Sequence, residues 1–109
     1  MQASFSQTYS GNQTTLDSIS KVVIHYLQAK QADSIYALTG ERFRSQLTAE
    51  NFKSISEKQV FPLNDFQNVT FVSTTNGVNT YKVAGTPDLQ LLIGLDTKNK
   101  LETFLIKSL

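Results

Sequence analysis

The hydrophobic period of this chain changes at Pro62, and that change constrains the fold more than any other feature. Before Pro62 the apolar residues recur at helical spacing. After it they alternate with polar residues, or run together in short stretches bounded by turn residues. Helices followed by strands that are joined by tight turns are typical of an α+β domain. We therefore predict N-terminal helices packed on a curved, four-stranded antiparallel sheet.

The longest helix is predicted from Gln13 to Lys30. Its apolar residues fall on one stripe at helical spacing, and a stripe of this kind faces a core. Asp17 and Lys21 are spaced for a favourable ion pair on the same helix. The stripe consists of Leu16, Ile19, Val23, Tyr26 and Leu27.

Short helices are predicted between this helix and Pro62. Asp33 has the chemistry of an N-cap for a helix through Leu38, with Gly40 available to end it. The segment from Glu41 to Gln46 fits one further turn.

A last helix is predicted from Ala49 to about Gln59. Thr48 has the side chain of an N-cap, and Leu47 and Phe52 have the spacing of a hydrophobic staple across that cap. Pro62 is expected to end the helical region.

Four strands are predicted after Pro62. Asn76-Gly77 is a strong signal for a type I′ hairpin, because both central residues of that turn need positive φ. Asn99 suits the left-handed position of the last turn. The third strand is apolar on both faces, so it should be central, with Leu91, Ile93 and Leu95 among the most buried residues. The predicted strands are Phe66 to Thr74, Val78 to Ala84, Leu89 to Asp96 and Leu101 to Lys107.

Composition excludes several classes of function. The 109 residues suffice for one domain, and the absence of cysteine rules out disulfides, thiolate metal sites and a cysteine nucleophile. The formal net charge of +1 argues against a nucleic-acid partner, and no apolar run is long enough for membrane insertion. No sequence pattern for a metal or another cofactor is present, so none is expected.

The N-terminal segment predicts an exported protein. Residues 1–12 carry no charge and no apolar core, so they form no signal peptide and resemble the start of a mature exported chain. We expect these residues to be a disordered or extended tail and residues 13–109 to form a single domain. Localisation is expected to be periplasmic or extracellular.

One catalytic motif matches this chain, and the match is weak. Ser18 and Lys21 fit the S-x-x-K motif of penicillin-binding proteins, but the partner motifs of that chemistry are missing. Both residues, together with Ser20, are expected on the solvent side of the first helix. His25 is the only histidine and is also expected to be exposed. No catalytic residue is assigned.

Tyr26 and Tyr36 are the candidate cavity-lining residues. Each lies on or beside an apolar helix face, so its hydroxyl can either bind a ligand in a cavity or satisfy the backbone. No carboxylate is placed by the sequence to partner them as an acid or base. Asp65, Asp88 and Asp96 fall at strand ends, where aspartate usually serves the turn.

A resemblance covers the part of the chain from Ile35 to Leu109. This part resembles a family of exported bacterial domains of unknown function, some of which precede a serine hydrolase of the α/β-hydrolase or β-lactamase-like kind. Asn64 departs from the pattern, in which glycine is expected. The segments that carry the likeness are Tyr36 to Arg44, Leu47 to Phe52, Phe61 to Leu63, Tyr81 to Val83, Leu89 to Asp96 and Lys100 to Phe104.

The resemblance implies a cystatin-like or nuclear transport factor two-like cone and an accessory function. On this basis the chain is expected to be a non-catalytic interaction domain of an exported protein, often N-terminal to a serine hydrolase. The alternative is a stand-alone domain that binds a small molecule, or acts as a lyase or isomerase, inside the cone. The ligand is unknown in that case.

The last strand provides the candidate interface. The helices can cover only one face of the sheet, so either Phe104 and Ile106 or Leu101 and Leu105 should stay uncovered. Monomers rarely expose contiguous apolar patches of this kind. The uncovered face is therefore expected to contact a second copy in a homodimer, or a C-terminal hydrolase domain of the same chain.

Overall fold

A computed structural model describes residues 13–109 of the protein. Four α-helices precede a π-helical turn, a 3₁₀ turn and four strands, so the predicted α+β class is confirmed. The expected tail at residues 1–12 lies outside the described residues. The helices are α1 (Gln13–Ala29), α2 (Ala32–Ala37), α3 (Glu41–Gln46) and α4 (Ala49–Ile55), the turns are Ser56–Val60 and Phe61–Leu63, and the strands are β1 (Val69–Thr75), β2 (Val78–Val83), β3 (Leu89–Leu95) and β4 (Leu101–Ser108).

Helix α1 buries the predicted apolar stripe. Leu16, Val23 and Leu27 are almost fully buried, and His25 is exposed as predicted. Ser20 corrects one expectation, because it is fully buried within this stripe rather than on the solvent side. It lies four residues after Leu16 and three before Val23, which is the spacing of a shared helix face.

The short helices differ from the predictions at their ends. Asp33 lies inside α2, whose N-cap is Gln31, and Gly40 is the N-cap of α3 rather than the end of α2. The N-cap at Thr48 is confirmed, since its hydroxyl accepts a hydrogen bond from the backbone N–H of Asn51 at 3.2 Å. Pro62 does not end the helical region, because it occupies the first turn of the 3₁₀ segment, where its missing N–H costs nothing.

The sheet is an antiparallel meander in the order β1-β2-β3-β4. The type I′ hairpin is confirmed by φ values of 50° at Asn76 and 77° at Gly77, and Asn99 has the predicted left-handed conformation with φ of 62°. Phe66 lies in the loop before β1 rather than in the strand. It is fully buried, and its N–H donates to the Asn64 side chain at 2.7 Å.

The two faces of the sheet have different surroundings. On the inner face Tyr81 pairs with Leu91, which pairs with Ile106, and the helices cover this face. Leu91 and Ile93 are fully buried as predicted, whereas Leu95 is only half-buried. The outer face carries threonines and a few apolar residues, including Thr80, Leu92 and Leu105 in register.

The helical layer is not spread evenly over the four strands. Helix α1 lies against β2 and β3, and helix α3 lies against β4. Strand β1 is exposed from Thr70 to Thr75. Among residues 13–109, no helix has both the length and the apolar character needed to span a membrane.

Candidate functional site

A groove with a volume of about 700 Å³ lies beside strand β4. One wall comes from α3, α4 and the two turns that follow, and the other wall is β4. The lining is mostly apolar, which is typical of binding sites. The apolar lining residues are Phe43, Leu47, Phe52, Ile55, Val60, Leu63, Phe104, Leu105 and Ile106.

An aromatic cluster supports the helical wall. The Phe52 ring lies at the centre, with ring centroids 5.6 Å from Tyr36, 5.8 Å from Phe43 and 6.0 Å from Phe104. The capped start of α4 fixes Phe52, which is 4% exposed. Because packed aromatic side chains have few rotamers available, this wall is held in one shape without a ligand.

The strand wall includes the backbone edge of β4. Five consecutive residues, 102–106, line the groove, although side chains alternate between the two faces of a strand. Because successive residues all line the groove, the groove runs along the backbone edge of β4. β4 is the last strand of the sheet, so half of its backbone N–H and C=O groups point away from β3.

The first residue of this edge already has a partner. The Leu101 N–H donates to the Leu38 carbonyl at 2.8 Å, and the Gly40 N–H donates to the Leu101 carbonyl at 3.0 Å. These bonds make a parallel bridge between Thr39 and Leu101. The chain then enters α3 at Glu41, so the covering segment stops where the groove begins.

Charge contributes little to the groove. Arg42 and Glu102 form the only ion pair among the lining residues described here, at 3.9 Å. The two side chains are 75% and 36% exposed, so the pair is screened by water and stabilises the fold only slightly. Binding in the groove therefore depends on apolar contact and on backbone hydrogen bonds.

The structure divides the candidate interface residues between different environments. Phe104 and Ile106 are half-buried and face the groove from the inner side of the sheet, and Leu105 is 53% exposed. Leu101 is fully buried, so the alternative in which Leu101 and Leu105 share one uncovered face is wrong. The physical reason is a β-bulge, since Gly94 pairs with Thr103 but Leu95 pairs with Leu101, and strict alternation fails there.

The two candidate cavity tyrosines do not line the groove. The Tyr36 hydroxyl donates to the Leu47 carbonyl at 2.8 Å, and the Arg44 guanidinium lies 5.1 Å from the Tyr36 ring centroid. Tyr26 is half-buried, and its ring centroid lies 5.9 Å from that of His25. The bond to Leu47 is the backbone-satisfying alternative for Tyr36, and the cavity-lining role of Tyr26 stays a prediction.

A polar cluster on the inner face of the sheet was missed by the sequence reasoning. Asn79 is fully buried on β2, and its side-chain amide donates to the Asp17 carboxylate at 2.9 Å and to the Tyr81 hydroxyl at 3.1 Å. Its carbonyl oxygen accepts from Thr74 at 2.6 Å and from Gln13 at 3.3 Å. Side chains alternate between the two faces of β2, so Asn79 shares the buried face with Tyr81 and Val83. This alternation was the sequence feature that could have predicted its burial.

The hydrogen-bonding capacity of Asn79 is filled. A primary amide donates two bonds and accepts two, and Asn79 makes all four with protein groups. This cluster therefore ties α1 to the sheet. One other buried side chain, that of Ser20 in the middle of α1, has an Oγ without a hydrogen-bond partner among the described residues.

The other residues singled out in the sequence are either exposed or bonded to the backbone of a turn. Ser18 and Lys21 are exposed on α1. Asp96 accepts from the backbone N–H groups of Lys98 and Lys100, so it serves its turn as predicted. Asp88 also serves its turn, since the Gly85 N–H donates to its carboxylate at 2.9 Å. This bond lowers the pKa of Asp88 below its ordinary value, and Lys82 lowers that pKa further.

Comparison with known proteins identifies no relative. No protein-family model, curated protein or solved structure matches this chain. Within residues 13–109, no three histidine or acidic side chains come together as metal ligands. The groove is therefore the feature of the described residues from which a function can be inferred.

Proposed function

We propose that this chain is a non-catalytic interaction domain whose partner inserts an extended, apolar segment into the groove beside β4. The single observation that carries the proposal is the lining of the groove by five consecutive residues of an edge strand. An edge of this kind binds a peptide by adding a strand, with backbone hydrogen bonds for affinity and side-chain pockets for selectivity.

The existing contact at Leu101 supports strand addition at this edge. The segment Leu38–Gly40 already pairs with Leu101, so the edge accepts a neighbouring strand at its first residue. The groove continues from that point along residues 102–106. A bound segment therefore extends a pairing that the fold has begun.

The apolar wall defines the side chains that the partner brings. Phe43, Ile55 and Val60 face β4 across the groove, and Ile55 is 39% exposed. A bound strand directs every second side chain toward this wall. The occupant is therefore an extended segment with apolar residues at alternate positions, and its other side chains face solvent.

The alternative, a stand-alone small-molecule binder or lyase/isomerase, receives less support. Such a site needs a few convergent polar groups beside an apolar pocket. The buried polar side chains around Asn79 bond to one another, and the groove runs along a strand rather than enclosing a ligand. An extended segment fits this shape better.

The biological setting of the proposal comes from the resemblance of residues 35–109. It suggests an exported bacterial protein in which this domain precedes a serine hydrolase. The inserted segment then belongs to that hydrolase domain, which gives the groove a partner in the same chain. Binding of a detached peptide tests the groove itself and does not depend on this setting.

Titration with a synthetic peptide tests the proposal. The probe is a short peptide of alternating valine and threonine residues. Its binding to the full chain is mapped by NMR chemical-shift changes. Shifts are expected at Phe43, Phe104 and Ile106, together with slowed amide exchange along β4. Shifts confined to β1, or none at saturating peptide, would contradict the proposal.

Two lysine variants supply the matched comparison. Ile55→Lys places a charge in the groove, whereas Val22→Lys places one on α1 at a position of nearly equal exposure, 39% against 38%. Ile55→Lys is expected to weaken peptide binding by about tenfold or more, since desolvating a charge opposes apolar contact. Val22→Lys should leave binding unchanged, and equal effects of the two variants would argue against the groove.

A further inference from the structure

Ser56 is the one buried polar side chain among the described residues that line the groove beside β4. It is 3% exposed, whereas Gln59, the next polar residue along the same wall, is exposed to water. Within residues 13–109, no hydrogen bond to or from the Ser56 hydroxyl is present. Since Ser56 lines the groove, the small part of it that stays exposed opens there.

The helical wall places Ser56 at the floor of the groove. Phe52 lies four residues before Ser56 and Val60 four residues after it, so all three share one helix face. Phe52 is 4% exposed, but the neighbouring Ile55 is 39% exposed at the rim. Ser56 therefore lies as deep as Phe52, and the other deep side chains of this face are apolar.

The backbone at Ser56 departs from the α-helix. Ser56 begins the π-helical turn Ser56–Val60, and the Phe61 N–H donates to the Ser56 carbonyl across five residues. Single π-helical turns are uncommon and are frequently found at functional sites. The irregular turn and the buried hydroxyl thus occur at the same point of the groove wall.

An entirely apolar occupant would leave the Ser56 hydroxyl without a partner. A segment that fills the groove displaces water from its floor, and a buried hydroxyl with no hydrogen bond weakens such a complex. Apolar contact and backbone hydrogen bonds are available to every extended apolar segment, so they select little between segments. A buried hydroxyl does select, because it favours a ligand group that bonds to it over an analogue that lacks the group.

We infer that Ser56 selects a threonine at one inward-facing position of the segment that binds in the groove. The inference rests on the proposed function, since it concerns the same groove and the same occupant. A threonine hydroxyl can donate to the Ser56 Oγ or accept from it, and its methyl group contacts the apolar neighbours Phe52 and Val60. Threonine also favours the extended conformation of an added strand.

NMR titrations of the full chain with matched peptides test the inference. The parent peptide alternates valine and lysine, so that valines face the groove and the charged lysines stay in water. In each further peptide one valine is replaced by threonine, which has the same shape and adds a hydroxyl. One of these peptides is expected to bind about two- to tenfold more tightly than the parent, which is the range of a single net hydrogen bond.

Two alanine variants locate the preference. Ser56→Ala should remove the advantage of the threonine peptide and leave binding of the parent unchanged or tighter. Ser20→Ala is the matched control, because Ser20 is also a buried helical serine whose hydroxyl has no partner among the described residues, and it lies outside the groove. This variant should keep the preference for threonine.

Thermal unfolding of the peptide-free chain separates recognition from a structural role. Ser56→Ala should leave Tm unchanged or raise it, since no bond within the protein is lost. A Tm lowered by several degrees would show that the hydroxyl bonds within the fold, and it would overturn the inference.

The titrations also distinguish this inference from the groove proposal. Peptides that bind beside β4 without a threonine preference at any position overturn the role of Ser56 and leave the groove proposal standing. A preference that persists in Ser56→Ala has the same meaning. If neither the parent nor any threonine peptide binds, the groove proposal itself fails, and the role of Ser56 fails with it.

Discussion

The amide of Asn79 donates a hydrogen bond to the carboxylate of Asp17 at 2.9 Å, and this bond joins β2 to α1 across 62 residues of sequence. Asp17 is half-buried and Asn79 fully buried. Buried polar groups are costly unless they are satisfied, and these two satisfy each other. The pair therefore fixes where the start of α1 lies on the sheet.

Replacing Asn79 should destabilise the protein through the partners it leaves behind. Asn79→Ala is expected to lower the free energy of unfolding by about 2–3 kcal/mol, because the Asp17, Thr74 and Tyr81 groups lose a buried partner. Urea denaturation measures the change. Asn51→Ala, at an exposed position on α4, should stay within about 0.5 kcal/mol.

A double-mutant cycle distinguishes the Asp17 bond from general packing. If the bond contributes, Asp17→Ala and Asn79→Ala together should destabilise less than the sum of the single changes, with a coupling of about 0.5–3 kcal/mol. Strictly additive effects would show that the two side chains act independently.

Leu91 tests the centre of the core. It is fully buried on the inner face of β3, so Leu91→Ala should cost about 2–5 kcal/mol through lost burial and the cavity left behind. Leu105→Ala makes the same substitution on β4 at a residue that is 53% exposed, and it should cost far less. A change under about 0.5 kcal/mol at Leu91 would mean that β3 is peripheral.

Asp88 should make stability depend on pH at the acid end. Its pKa is lowered in the folded protein, chiefly by the hydrogen bond from Gly85, so ionisation favours the folded state. This contribution is complete above the unfolded pKa of about 3.9 and is lost as the pH falls through the lower folded pKa.

Comparison with Asp88→Asn isolates that contribution. The difference in unfolding free energy between the unaltered chain and the variant should be constant above about pH 5 and should narrow below about pH 4. Lys82→Met should keep most of the effect, because Gly85 is the larger cause. A difference that grows as the pH falls would contradict the sign of the shift.

Hydrolase activity is not expected from the exposed Ser18 and Lys21. Assays with nitrocefin and with a p-nitrophenyl ester should show no turnover above buffer, since both side chains are exposed on α1 and the partner motifs of that chemistry are missing from the sequence. Ser18→Ala is the decisive control. Turnover that this substitution abolishes would establish a catalytic serine.

The α+β class was predictable because it depends on local chemistry. Asn76 and Gly77 form the type I′ turn wherever the hairpin lies, and Thr48 caps α4 through a bond to a residue three positions away. The stripe of α1 and the apolar run of β3 likewise depend on neighbours within the same element. Each signal needs only a short stretch of chain.

The bulge in the β3–β4 ladder, the Asn79 cluster and the groove were decided by the tertiary structure. The bulge turns Leu101 into the core, although alternation would pair it with the exposed Leu105. The alternation of β2 places Asn79 on the buried face, but only the packing of α1 on the sheet brings Asp17 against it from 62 positions away. The groove needs α4 and β4 to lie side by side. Sequence determined the elements, since local spacing and turn chemistry suffice for those, whereas long-range packing decided which side chains meet.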